Sequence, residues 1–197
     1  MEKHRALLEF FEPILGTCPA NKDLAAEYVA TKAPTIEKMD EELEAITADE
    51  LIKKGMTVFA RNEDGVPCLW DYQVKGFLKD TCGILRKVEG SRASKVKAYK
   101  KEIDGLIFPA PRMIPIKFDG EIGSCQRPLR ASTPQGERVS LSNSEEIPAG
   151  ASIEVEFTCF TFEHWLLVKE CLDYGFYRGI GQWRNSGKGR FTWRFLG

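Results

Sequence analysis

Apolar residues recur along this chain with two periods, and each period predicts a different kind of element. The opening run at residues 5–17 (RALLEFFEPILGT) is dense in Leu, Phe and Ile and ends on Gly-Thr, which predicts a first core strand. A polar loop at 18–23 follows. Residues 24–32 and 47–54 have helical composition, and the acid-rich 37–49 between them predicts a solvated helical face. Residues 56–61 (MTVFAR) and 67–71 read as hairpin strands joined by the turn Asn62-Glu63-Asp64-Gly65. Residues 72–87 (YQVKGFLKDTCGILRK) change to the helical period: Val74, Phe77, Leu78, Cys82 and Leu85 share a core face, and Lys75, Lys79 and Arg86 lie outside it.

From residue 106 to 160 the pattern returns to short apolar runs broken by Pro and Gly, and these predict strands, several of them in an extended hairpin. A second amphipathic helix is expected at 165–174, with Leu166, Leu167, Val168 and Leu172 inward and the Thr161 hydroxyl as its N-cap. A short strand at 191–195 closes the chain.

Composition narrows the classes. With 197 residues, 43% hydrophobic and 29% charged, the chain suits one soluble globular domain. No apolar run reaches the roughly 18 to 20 residues of a membrane span, and the charged first dozen residues do not resemble a signal peptide, so a cytoplasmic protein without membrane contact is expected. The six cysteines form no close pair, which predicts reduced, mostly buried thiols rather than a zinc or redox site. No cofactor is expected. GKG at 187–189 lacks the spacing of a phosphate-binding nucleotide loop, and paired acids such as Glu41-Glu42 and Glu145-Glu146 read as charged surface.

Net charge is −1, so the distribution of charge carries the information. Residues 86–101 hold seven cations against the single acid Glu89, predicting a mobile or nucleic-acid-facing loop. Residues 175–194 (GFYRGIGQWRNSGKGRFTWR) hold five glycines, five cations and no acid. Glycine lets backbone approach a phosphate, the cations supply charge, and Trp183, Phe191 and Trp193 offer rings for bases to stack on. That combination predicts a surface for single-stranded nucleic acid.

The order of residues 145–156 (EEIPAGASIEVE), then a helix, then Gly179-Ile180-Gly181 and 185–191 (NSGKGRF) resembles the C-terminal half of RAMP proteins, the ferredoxin-like family of CRISPR RNA-binding subunits, particularly the backbone subunits that hold CRISPR RNA. Residues 72–80 (YQVKGFLKD) similarly resemble the family's S-x-K-G-x-L-R helix start, with Tyr72 or Gln73 in place of the Ser and Lys79 in place of the Arg. The resemblance implies an α+β fold: one ferredoxin-like (RRM/RAMP-type) βαββαβ sheet with helices on one face, a single domain over 1–197. It also implies an acidic helical insertion at about 24–54 and a thumb-like β-hairpin insertion at about 106–146. It implies RNA, such as a CRISPR guide, as the partner, with protein partners in a CRISPR-type complex or further copies of the chain.

The candidate nucleic-acid-binding residues are Lys75, Gly76, Lys79 and Arg86 on the first helix, Arg127 and Arg130 in the hairpin, and Arg178, Gly181, Trp183, Arg184, Lys188, Gly189 and Arg190 in the glycine-rich segment. The helix set and the loop set are expected to converge on one sheet edge. Catalysis is the weaker expectation: His4 stands where related RNA-processing enzymes place a histidine but reads as solvated, His164 reads as a capping residue, and Asp23 has no confirming neighbour. A rival expectation is an anti-defence protein of a phage or mobile element, blocking a nucleoprotein complex or capturing a nucleotide, with acidic residues 37–50 mimicking nucleic acid.

Overall fold

The computed structural model describes residues 1–19, 56–133 and 136–197, with side chains throughout except at 19 and 129–141. The expected acidic helical insertion and Asp23 lie outside the described residues.

Strand β1 (Glu2–Phe10) alternates strictly: Ala6, Leu8 and Phe10 are buried, while Lys3, Arg5 and Glu9 are exposed. It is shorter than the apolar run suggests. The chain bends at Phe11 and Glu12, and Pro13 has no N–H for a ladder, so Ile14 and Leu15 restart as β2 (Ile14–Leu15) in another sheet. Short strands β3 (Cys18–Pro19), β4 (Thr57–Val58), β5 (Ala60–Arg61) and β6 (Pro67–Trp70) lead into helix α1 (Asp71–Leu85). Val74, Phe77, Leu78 and Cys82 of α1 are buried, as their helical spacing requires.

Residues 90–101 are not a mobile loop. They form helix α2 (Arg92–Lys95), then begin α3 (Tyr99–Leu106), and Ala93 and Ile103 are fully buried within them. The Glu170 carboxylate accepts from the Arg92 and Ala93 amides at 2.8 and 2.9 Å, so an acid from a distant helix fixes this segment. The density of Lys and Arg masks two apolar anchors that suffice to order it.

Helix α3 runs directly into β7 (Ile107–Ala110), followed by β8 (Met113–Pro115) and a long antiparallel pair, β9 (Gly123–Thr133) and β10 (Gly136–Ile147). Then come β11 (Ser152–Cys159), helix α4 (Phe162–Asp173) and β12 (Phe191–Phe195). The central sheet has the order β12-β1-β11-β7, every neighbouring pair antiparallel. With α1 between β1 and β7 and α4 between β11 and β12, this is the βαββαβ arrangement of the ferredoxin-like fold, as expected.

The core lies between the sheet and its helices. In β11, Ile153, Val155, Phe157 and Cys159 face it, and from α4 come Trp165, Leu167, Val168, Cys171 and Leu172. Burying each large apolar side chain contributes roughly 1.5–3 kcal/mol, so this alternation sets which face of the sheet receives the helices. Helix α4 starts earlier than its apolar spacing suggests because Thr161, whose hydroxyl accepts from the His164 amide, is its N-cap. Its inward residues include Trp165 in place of the half-buried Leu166. All six cysteines are free thiols; burial pushes the Cys159 thiol up to about 12, leaving it protonated at neutral pH.

Candidate nucleic-acid interface

The glycine-rich segment leaves α4 through a 3₁₀ turn at Tyr174–Phe176 and folds against the connection between β1 and β2. The Gly189 amide donates to the Pro13 carbonyl at 2.8 Å, the Ile180 amide to the Gly189 carbonyl at 2.9 Å, and the Phe11 amide to the Arg190 carbonyl at 3.2 Å. The two arms of the segment touch through backbone. A Cβ on Gly179 would sit 2.1 Å from the Lys188 carbonyl oxygen, and one on Gly189, at φ +69°, would sit 2.0 Å from that of Ile180. These glycines therefore permit close packing of the segment on itself; the Ile180 amide is spent on that packing and the Gly189 amide on the Pro13 carbonyl. Gly181, at φ +94°, places the next turn against the Leu15 carbonyl.

Three groups of cations emerge where the sequence suggests one. Arg178 and Arg184 both reach Asp80 of α1, at 2.7 and 3.0 Å, and Arg178 also bonds Asn185. They pin the segment to the helix. Lys75 and Lys79, one turn apart, point instead toward α3. The Lys79 ammonium pairs with the Asp104 carboxylate at 2.9 Å. That of Lys75 donates to the Asp104 carbonyl at 2.9 Å and lies 4.5 Å from the Phe108 ring centre, with its pKa lowered by burial. The intervening face of α1 is why the helix set and the loop set part: residue 80 is about 100° round the helix from residue 79. Gly76 opens to unoccupied space on α1, and exposed Arg86 lies over the Tyr99 ring at 5.0 Å.

The third group lies where the segment meets the base of the β9–β10 hairpin. Lys188 pairs with Glu146 of β10 at 2.7 Å. Arg127 of β9, only 5% exposed, donates one Nη2 bond to the Gln182 side chain at 2.6 Å, and its guanidinium lies 4.9 Å from the Trp183 ring centre. Its Nε and Nη1 are buried with no partner, as is the Nε of Arg190. Among the described residues neither arginine has an acid partner. Trp183 adopts φ +56°, the left-handed region, which is uncommon for a bulky residue. Arg130 stands opposite Val139 in the hairpin ladder.

The open face of the central sheet is different. β1 and β11 present Lys3, Arg5, Leu7 and Glu9 beside Ser152, Glu154, Glu156 and Thr158, with no aromatic ring among them. Ion pairs Lys3–Glu156 at 2.8 Å, Arg5–Glu154 at 3.3 Å and Arg194–Glu9 at 3.8 Å cover it. Rings that stack RNA bases on a sheet of this kind stand on the central strands, where β1 and β11 offer none; Phe108, opposite Thr158 on edge strand β7, is an exposed ring on this face.

His4 is not solvated: its ring stacks on Trp165 at 4.3 Å on the helix side of the sheet, and Nε2 meets Glu2 at 3.1 Å. His164 bonds the Thr161 hydroxyl through Nδ1 at 2.9 Å, within the α4 cap. Among the described residues no three His, Cys, Asp or Glu side chains are placed to hold a metal, and no helix is long and apolar enough to cross a membrane. Asp80, Asp104 and Gln182, which the sequence does not single out, and Glu146, which reads there as charged surface, hold the cations. A count of cations alone hides them; an acid one position from Lys79 on the same helix was the available signal.

No family model and no curated protein matches the sequence. Among solved structures, the chain matches one chain of the type III-B Cmr-beta complex bound to cognate target RNA, over 99% of its own length, at 8% identity and a TM-score of 0.54. It spans 60% of that chain's length. Crystal structures of Cmr4, one of them oligomeric Cmr4 from Pyrococcus furiosus, match at 11% identity and a TM-score of 0.46, over at least 99% of both chains. The match to the Cmr-beta chain bears out the ferredoxin-like α+β fold expected from the sequence.

Proposed function

We propose that this chain binds single-stranded RNA where the glycine-rich segment meets the base of the hairpin, as a subunit of a CRISPR-type nucleoprotein complex. The observation that carries the reading is Arg127, which lies 4.9 Å from the Trp183 ring centre and, like Arg190 of the glycine-rich segment, has no acid partner among the described residues, while most other cations near the loop are neutralised in place. A buried or half-buried guanidinium without a counter-charge favours an arriving anion, and an adjacent indole favours one that carries bases. The fold supports the same reading, since the matched Cmr-beta complex is bound to target RNA. The proposed activity is binding, and no reaction step is part of it.

The test is purification in low salt, followed by extraction and sizing of bound nucleic acid and titration with single-stranded polyuridylate at rising salt. Discrete RNA is expected in the preparation. With Arg127 and Arg190 as the candidate cations of the junction that have no acid partner among the described residues, the log–log slope of affinity against salt should be about −1.4. Nucleic-acid-free protein that takes up no polyuridylate at any salt would sink the RNA reading and turn attention to the anti-defence alternative.

A further inference from the structure

We propose that Arg127 and Trp183 form a capped seat for one phosphate of single-stranded RNA, with the Trp183 indole as a movable cap that stacks on the adjoining base. The inference rests on the RNA-binding reading and specifies the place where the strand is gripped.

Arg127 is an energetic misfit. It is 95% removed from solvent, yet among the described residues only one of its three guanidinium nitrogens donates a bond, to the neutral Gln182 amide. Buried charges in folded proteins are ordinarily paired, because removing an ion from water is not repaid by a neutral acceptor alone. Burial of this group with two idle nitrogens is a configuration that an anion would complete.

The second observation is the cover. Trp183 lies against the guanidinium, and it is the one non-glycine residue with positive φ among the described residues. Strain of this kind persists where surrounding structure imposes it and gathers at sites that bind. Trp183 precedes a 3₁₀ turn (Arg184–Ser186) whose far end is Gly187, also at positive φ. The turn is pinned on its other side by Arg184 to Asp80, so rotation about Trp183 can lift the ring and leave the segment in place. The indole is 39% exposed, so its outer face is open to a base while its inner face covers the arginine.

The third observation concerns direction. Arg127 comes from β9 and Gln182-Trp183 from the segment after α4, so the seat joins the hairpin to the loop. A strand held there would lie along the base of the hairpin. Phosphate on Arg127 and a base on Trp183 use one nucleotide unit of the strand.

Binding of a fluorescein-labelled 12-nucleotide polyuridylate is the assay, together with thermal melting of each variant. Arg127→Met keeps an unbranched apolar stem and removes the guanidinium and its charge. Its melting temperature should equal or exceed that of the wild type, while affinity falls roughly tenfold to a hundredfold. Trp183→Phe should bind within several-fold of wild type but lose the part of the protein's fluorescence that RNA quenches. A lower melting temperature for Arg127→Met would make the arginine a structural strut and overturn the seat. Unchanged affinity in that variant, with wild type binding RNA, would overturn it too and leave the broader RNA reading standing. Failure of the wild type to bind at all would remove the reading on which the seat rests.

Discussion

The open face of the central sheet and the junction of loop and hairpin use the same kinds of side chain, yet they differ in what they leave available. On the sheet, strand register brings acids of β11 beside cations of β1, and Lys3 and Arg5 each find a glutamate. At the junction, Arg127 meets Gln182, 55 residues away along the chain, and no carboxylate arrives with it. Ladder register therefore makes a surface that satisfies itself, whereas the packing of the loop on the hairpin leaves Arg127 without an acid partner among the described residues. Counting charges along the sequence treats the two regions alike; only the fold separates them.

The sharpest way to break this contrast is to open the junction while sparing the sheet. Gly179→Ala would push a methyl to 2.1 Å from the Lys188 carbonyl oxygen, which is backbone and cannot swing aside. Overpacking of this kind costs about 3 kcal/mol, and urea denaturation should show a loss near that size. RNA affinity should fall with it, because the arms carrying Trp183 and Arg190 are forced apart. A loss below about 0.5 kcal/mol would mean that the segment is not held as described.

A smaller effect is expected from Asp80→Ala. It leaves Arg178 and Arg184 facing each other without their shared carboxylate, and all three side chains are about a quarter to a third exposed. Discounted for that solvent screening, the loss should be about 1–2 kcal/mol in urea denaturation. Asp80→Asn, which keeps an acceptor oxygen, should recover part of it. If Asp80→Ala strengthened RNA binding with no loss of stability, the two arginines would belong with Arg127 as available cations and the division into groups would fail.

The parts legible in the sequence are those whose neighbours are near in the chain or repeat regularly. The alternation of β11 and the helical spacing of α1 give the faces directly, and the Thr161 cap is readable from a hydroxyl three residues before His164. Residues 86–101 are opaque because one small anchor, Ala93, stands among seven cations with the next, Ile103, just beyond them, and the acid that caps α2 is Glu170. The run at 5–17 read as one strand because composition does not say where Pro13 turns the chain into a second sheet. Arg127 and Arg130 were chosen alike, yet the burial of Arg127 follows from a contact with Gln182 that no local pattern encodes.

The sheet face offers the converse and smallest test. Glu156→Gln removes the partner of Lys3, whose side chain is 66% exposed, and leaves the β1–β11 ladder intact. An exposed cross-strand ion pair is worth about 0.2–1 kcal/mol and is screened by salt, so stability should fall by less than 1 kcal/mol, and less still in 0.5 M salt. Freeing Lys3 also adds a net positive charge to the sheet. If the junction alone grips RNA, polyuridylate affinity in this variant should stay within about twofold of wild type at 0.15 M salt, where charges more than about 8 Å away are largely screened. A gain of tenfold would place RNA on the sheet, and the self-satisfied face would have been idle only because its acids kept it so.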